Sequence, residues 1–341
     1  MHVTPRVSRV LRRAFDRSVH AAAEVLYLLP PTRPARHAAR VLRDVPYRPT
    51  GLSAHLLDIY LPDSPPPHPP AAGHAPTLRP AVVYIHGGAF CMLSKDTHRV
   101  MALPFVRRGY VVFNINYRLG PTHRYPAPLE DAAAALTWVV DNAERYGADP
   151  RRLILAGESA GGNLVTALTY IASHPTEEPF AKALFDRAPT LAATVPIYGF
   201  LDLHDLHRYT DRPRVPEWAK REITAAASAY IGRPIPEAAR RHPLASPLRL
   251  LEEPAAPGAR PLPFFIACGT ADMLLDDSRR LKSALDRRDT PQHSMYSKAR
   301  STASTPWSGA LPPRPSGAPS STSSPKPASE NPPPCAGGYT W

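Results

Sequence analysis

A serine set between glycines, Gly157-Glu158-Ser159-Ala160-Gly161, follows the apolar run 152–156 and precedes residues 162–168. The first run reads as a buried strand and the second as a buried helix. A Gly-x-Ser-x-Gly turn between such elements pushes the serine Oγ out above a sheet. The helix N-terminus beneath it stabilises developing negative charge. Glycine flanks the serine because so tight a turn leaves no room for side chains. Ser159 is therefore the candidate nucleophile. Such a serine also needs amide donors for an oxyanion, a base, and an acid that orients the base. His86-Gly87-Gly88-Ala89 follows the apolar run 81–85, so the amides of Gly87 and Gly88 are candidate donors, joined by that of Ala160. His86 reads as a brace for this loop rather than as the base. Asp272 stands just past the apolar run 263–267, where an orienting acid belongs, whereas Asp276 and Asp277 read as caps of the next helix.

These residues require a scaffold that brings several strand ends together. Residues 55–61, 81–85, 110–116, 153–156, 191–198 and 263–267 read as strands. Helical patterns cover 129–146, 218–230 and 276–288. Strands alternating with helices predict an α/β fold, a mostly parallel, doubly wound sheet. The stretch 199–251 is too long for a plain connection, which predicts a helical cap inserted at about 200–250. Residues 1–50 are arginine-rich, with a helix over about 7–29. Val7, Val10, Leu11, Phe15, Val25, Leu26 and Leu29 fall near one face of it. The expected role is a helix docked over the domain, with an organelle transit peptide as the alternative. The core then spans 51–290, interrupted by a proline-rich loop at 62–80.

Composition narrows the function classes. Formal net charge is +12, carried mostly by arginine, but no basic face interleaved with aromatics marks a nucleic-acid partner. Cys91, Cys268 and Cys335 are too few and scattered for a disulfide framework or metal site, so a cytoplasmic location is expected. No apolar stretch is long enough for an integral membrane segment. Oligomeric state is not legible.

The order oxyanion loop, serine, acid is that of the α/β-hydrolases, in which a histidine comes last. The chain resembles their hormone-sensitive-lipase family, the fold-3 esterases. The matching residues are His86-Gly87-Gly88, Asn116-Tyr117-Arg118-Leu119 with Pro126 and Glu130-Asp131, Gly157–Gly162, and Asp272-Met273-Leu274-Leu275-Asp276-Asp277. The resemblance implies a carboxylesterase or lipase that needs no metal or cofactor and acts on small acyl esters. It also implies a Ser-Asp-His triad and a cap built partly from the N-terminus. Ala89, Asn116 and Thr122 depart mildly, where the family commonly has Gly, Asp and Glu.

The severe departure is at the end. The resemblance implies a Gly-x-x-His-x-Phe stretch about thirty residues past the acid, yet residues 294–305 contain no histidine. His293 comes too early and has no strand before it. Residues 291–341 contain no Ile, Val or Phe and read as a Pro/Ser-rich disordered tail, so the last strand and helix are expected to be missing. Activity of the chain as written is therefore expected to be impaired. A non-catalytic binding protein like the gibberellin receptors is the alternative, but those keep the neighbourhood of the lost histidine. A peptidase would bring a large extra domain. Residues 294–309 suggest a reading-frame shift instead. From the third base of one permitted set of codons they read H-V-L-Q-G-E-I-H-G-F-N-A-L-V-W, with the histidine codon straddling Ser301 and Thr302. The valine from Met295 and Tyr296 is forced, and only His, Asn, Asp or Tyr can stand at the histidine position. Sequencing the locus is expected to find G-E-I-H-G-F in the alternative frame; its absence there ends this explanation.

Overall fold

Eight strands form one sheet in the computed structural model, which describes residues 5–29, 32–37, 39–63, 77–211, 215–255 and 259–297. In chain order they are β1 (Ala39–Pro46), β2 (Leu56–Pro62), β3 (Arg79–Ile85), β4 (Val111–Ile115), β5 (Ala148–Glu158), β6 (Leu191–Ile197), β7 (Phe264–Gly269) and β8 (Gln292–Ser297). Their order across the sheet is β1-β2-β4-β3-β5-β6-β7-β8. β2 pairs antiparallel with both β1 and β4, and every other pairing is parallel. The proline-rich stretch falls mostly outside the described residues.

Central strands covered on both faces must be apolar throughout, and the side chains of β3 and β5 divide by parity. Val83, Ile85, Leu153 and Leu155 face a core formed with α3 (Ala127–Asn142) and α4 (Ala160–Ser173). Val82, Tyr84, Ile154 and Ala156 face the other core, closed by Leu103, Phe105 and Val106 of α2 (Arg99–Val106). A short helix, α5 (Pro179–Arg187), leads to β6. Between β6 and β7 lie α6 (His207–Thr210), α7 (Glu217–Ile231), α8 (Ile235–Arg241) and α9 (Pro247–Glu252). α10 (Leu275–Arg287) then packs Leu281, Ala284 and Leu285 against Phe264 and Ile266 of β7.

Two expectations need correction. The last strand is present: β8 pairs with β7 from Phe264↔Gln292 to Gly269↔Ser297, so the sheet extends past residue 290. A parallel ladder is made by backbone groups, and an edge strand tolerates the polar residues found here. The last helix, like the rest of the tail, lies outside the described residues. The N-terminal helix α1 (Pro5–Leu28) forms, but Val25, Leu26 and Leu29 do not face the domain. Among the side chains described in α1, those of Ala23 and Tyr27 are buried. The docking is made by polar side chains instead, as described below. For Val7, Val10, Leu11 and Phe15 the side chains lie outside the described residues.

Glycine is indispensable where α4 meets the end of β3. A Cβ on Gly161 would stand 2.0 Å from the Ile85 carbonyl oxygen, and one on Gly157 2.6 Å from the same atom. This contact fixes the height of the serine turn above the sheet. Gly161→Ala is expected to lower stability by about 2–4 kcal/mol, because backbone must move to admit the methyl group. Urea unfolding checks this; a midpoint equal to that of the parent would show that the contact is not as tight as described.

Candidate active site

β5 ends at Glu158 and α4 begins at Ala160, leaving Ser159 alone in the turn. Its backbone lies at φ 53° and ψ −112°, a left-handed φ that costs a side-chain-bearing residue about 1–3 kcal/mol. Neighbours hold it there. The Ser159 N–H donates to Ile197 O at 3.0 Å, and its carbonyl accepts from Phe200 and Asn163 N–H groups, both at 3.1 Å. The buried Asn163 amide in turn donates to Phe200 O and Ala245 O.

The glycine loop after β3 turns through left-handed backbone at Gly88, Ala89 and Phe90 (φ 108°, 54° and 59°). This is where a third glycine would relieve Ala89. The Gly87 N–H donates to Glu158 Oε1. That corrects the expectation for Gly87, because its amide is turned back toward β5 and cannot face a reacting oxygen. Among the described residues, the Gly88 and Ala89 amides have no acceptor. Ala160, first in α4, has no carbonyl one turn back to accept its N–H. These three donors are the ones available.

His86 is buried, its ring stacked on Tyr117 with centroids 4.4 Å apart. Its Nδ1–H donates to Gly87 O at 2.7 Å, and Tyr117 Oη donates to its carbonyl at 2.9 Å. Burial, with His98 nearby, pushes its pKa down to about 3, so it is a neutral brace and no base. Tyr117 is held in place by its neighbour: Arg118 pairs with the fully buried Asp131 at 2.7 Å, which also accepts from Arg48 and meets His55. Asn116 accepts Lys95 N–H through Oδ1 and donates to Ser53 O through Nδ2, a donation that aspartate could not make.

Asp272 lies in the loop between β7 and α10 and is buried. Its Oδ1 accepts the Leu274 N–H at 2.8 Å, yet burial still raises its pKa to about 6. Burial, with Glu158 and Asp272 nearby, pushes up the hydroxyl pKa of Tyr198, just past β6. The ends of β5, β6 and β7 thus carry Ser159, Tyr198 and Asp272 along one edge of the sheet. Asp276 and Asp277 are not caps. The α10 start has no side-chain cap; Asp277 accepts Leu201 and Asp202 N–H groups and the Tyr209 hydroxyl, while Asp276 pairs with Arg208.

No histidine among the described residues bonds to Ser159 or Asp272. His293 stacks on Phe265 and is paired with it in register, four residues before Gly269. At about 3.3 Å per residue, that is roughly 13 Å back along the strand from the edge that carries the acid. The described residues hold no cluster of three metal-ligating side chains. A cavity of about 390 Å³ opens beside the glycine loop, lined among others by Leu52, Ser53, His86, Leu93, Asn116, Tyr117, Leu119 and Thr122.

Sequence reasoning missed His98 and Tyr84. The Tyr84 hydroxyl donates to Glu158 Oε2, and His98 Nε2 pairs with Oε1 at 2.9 Å. A signal existed: an acid inside a buried turn requires a counter-charge, though its position in the chain was not marked.

A sheet of this order, with a strained serine turn after the fifth strand, defines an α/β hydrolase. The chain belongs to that family: the family described as alpha/beta hydrolase fold matches residues 82–299, well over half of the chain. Carboxylesterase NlhH of Mycobacterium tuberculosis is 40% identical over 114 residues, 33% of this chain and 36% of that protein. Arylacetamide deacetylase of Bos taurus is 33% identical over 159 residues, 45% of this chain and 38% of that protein. The chain therefore spans less than half the length of these relatives. Among solved structures, esterase LipW from Mycobacterium marinum superposes with a TM-score of 0.64 at 26% identity, over 87% of this chain and 82% of that one.

The His98–Glu158 pair has a pH signature. Burial alone would lower the His98 pKa, but Glu158 outweighs it and the net shift is upward from 6.5. Burial likewise opposes ionisation of Glu158, but His98, Tyr84 and Gly87 outweigh it and lower its pKa from 4.5. The histidine contribution is complete below its unfolded pKa and is lost as pH rises through the raised folded value. The glutamate contribution is present above its unfolded pKa and is lost as pH falls through the lowered folded value. Stability relative to His98→Gln is therefore expected to be greatest between about pH 4.5 and 6.5 and to shrink toward alkaline pH. Urea midpoints of the two proteins across pH 5 to 9, taken as about the usable range, check this. A difference that does not change with pH would remove the ion pair.

Proposed function

We propose that this protein is a serine carboxylic-ester hydrolase acting on small acyl esters without metal or cofactor. The observation that carries it is Ser159 held in a strained turn at a helix N-terminus, near the loop whose Gly88 and Ala89 amides have no acceptor among the described residues. Ser159 Oγ attacks the ester carbonyl, and the amides of Gly88, Ala89 and Ala160 receive the negative oxygen. Collapse of the tetrahedral intermediate expels the alcohol and leaves an acyl-serine, which water then hydrolyses to acid and free enzyme. A cytoplasmic location accords with the buried Cys268 thiol.

A base must take the Ser159 proton, and Asp272 would orient it. Burial leaves the Asp272 carboxyl with a pKa near 6, as expected of an acid without a cationic partner. The end of β8 leads toward it, since Ser297 O accepts the Thr270 N–H at 2.8 Å. The family match stops at residue 299. The histidine codon of the alternative frame falls at Ser301 and Thr302, a few residues beyond this point. We therefore read the missing base as lost through a frame shift.

The chain as written is expected to hydrolyse p-nitrophenyl acetate and butyrate slowly, unaffected by EDTA. Added imidazole should raise the rate in a way that depends on Ser159. Restoring the frame should raise turnover by about 10³–10⁴, and changing the recovered histidine to alanine should remove that gain. Ser159→Ala retaining full turnover in the frame-restored protein would sink the proposal.

A further inference from the structure

Helix α1 docks with its polar side inward. Asp16 Oδ1 accepts the Leu93 N–H at 2.7 Å, and His20 Nε2 meets Ser94 Oγ at 2.9 Å. Glu24 pairs with Arg99 at 2.8 Å, and Tyr27 Oη donates to Thr97 O at 2.9 Å. These residues recur every three or four positions, so they form one stripe along the helix. Their partners, 93–99, are themselves anchored, because the buried Lys95 pairs with Asp58 at 2.8 Å. The orientation of α1 is therefore fixed by four specific contacts.

What remains outside is apolar. Val25 and Leu28 are 64% and 67% exposed, with Leu26 and Leu29 about half exposed beside them. Four of the six large exposed hydrophobic residues in the described chain thus fall within five consecutive positions. A globular helix normally buries such residues and hydrates its acids and histidines. Cations rim the patch. Arg17 is exposed about two turns before it, Arg33 Nε donates to Leu28 O at 2.9 Å, and Arg36 is exposed. The acids in residues 14–37 are Asp16 and Glu24 alone, both used in docking. Leucine and valine surrounded by arginine is the pattern that enters a lipid headgroup layer from the side, the apolar chains inserting and the guanidinium groups meeting phosphates.

We propose that the C-terminal turns of α1, with Arg17, Arg33 and Arg36, form a docking surface for an anionic membrane. The occupant is fixed by charge. A second copy would set this basic rim against an identical basic rim, whereas anionic lipid complements it. No helix of the described residues is long and apolar enough to cross a membrane, so the attachment is peripheral. It places the loop 93–99, and the glycine loop next to it in sequence, near the lipid surface. The inference stands independently of the esterase reading.

The test is co-sedimentation of the full chain with vesicles of phosphatidylcholine, with and without about 30% phosphatidylglycerol. Binding is expected to the anionic vesicles, and to fall sharply in about 0.5 M salt. Val25→Asn/Leu28→Asn leaves net charge unchanged and is expected to weaken binding at least about tenfold. Arg33→Glu/Arg36→Glu is expected to weaken it by a similar factor. Val25→Asn/Leu28→Asn should keep the parent melting temperature, since both side chains are exposed; Arg33→Glu also gives up the bond to Leu28 O, so Arg36→Glu alone, exposed and expected to weaken binding in the same direction, serves as its control. Failure of the parent to bind overturns the proposal. So does undiminished binding by Val25→Asn/Leu28→Asn, which would reduce the attraction to net charge. A concentration-dependent dimer in sedimentation velocity, abolished by that variant, would assign the patch to a second copy instead.

Discussion

The carboxylate of Glu158 is buried beneath the serine turn, with only 5% of the residue exposed. A buried charge is tolerated only when paired and fully hydrogen-bonded, and its three partners come from separate places. Tyr84 belongs to β3, Gly87 to the loop that follows, and His98 to the residue before α2. Satisfying the acid therefore draws these segments against the turn that carries Ser159. The glycine contacts at Ile85 permit the approach, and the acid makes it the favoured one. Further out, Tyr117 holds the His86 carbonyl and Asp131 holds Arg118. Each layer fixes the one inside it.

A second charge cluster performs the same service for the other end of the site. Asp202 and Asp277 are both fully buried and share Arg208, with Arg280 and Glu252 completing the group. It connects the loop after β6, the short α6, α9 and the first turn of α10. Asp272 lies just before that turn, so its loop is clamped between β7 and this cluster. Networks of this kind add little net stability compared with apolar packing of the same volume, but a misplaced member is costly. Their effect is on geometry: the acid and the nucleophile are fixed by two sets of charges rather than by one.

Much of this was legible in the chain. The apolar runs at 81–85 and 153–156 marked their strands because burial on both faces forbids polar alternation. The two Gly-rich turns marked the site because backbone cannot approach backbone otherwise. Other features carried no such pattern. β1 contains Arg40, Arg43 and Asp44 and is interrupted by a bulge, so no apolar run marks it as a strand. Gly87 looked like a donor because composition shows which residues can bend, not where each amide then points. Asp277 looked like a cap because its partners, Leu201, Asp202 and Tyr209, lie about seventy positions earlier. α1 looked like an ordinary amphipathic helix because periodicity identifies two faces without saying which turns inward.

The ladder between β7 and β8 reads no side chains. A stretch such as Gln-His-Ser-Met-Tyr-Ser completes the sheet edge because its amides and carbonyls are spaced like those of any other strand. Proofreading by folding is therefore blind at this margin. A change in sequence between Gln292 and Ser297 that keeps the backbone extended would leave this ladder intact.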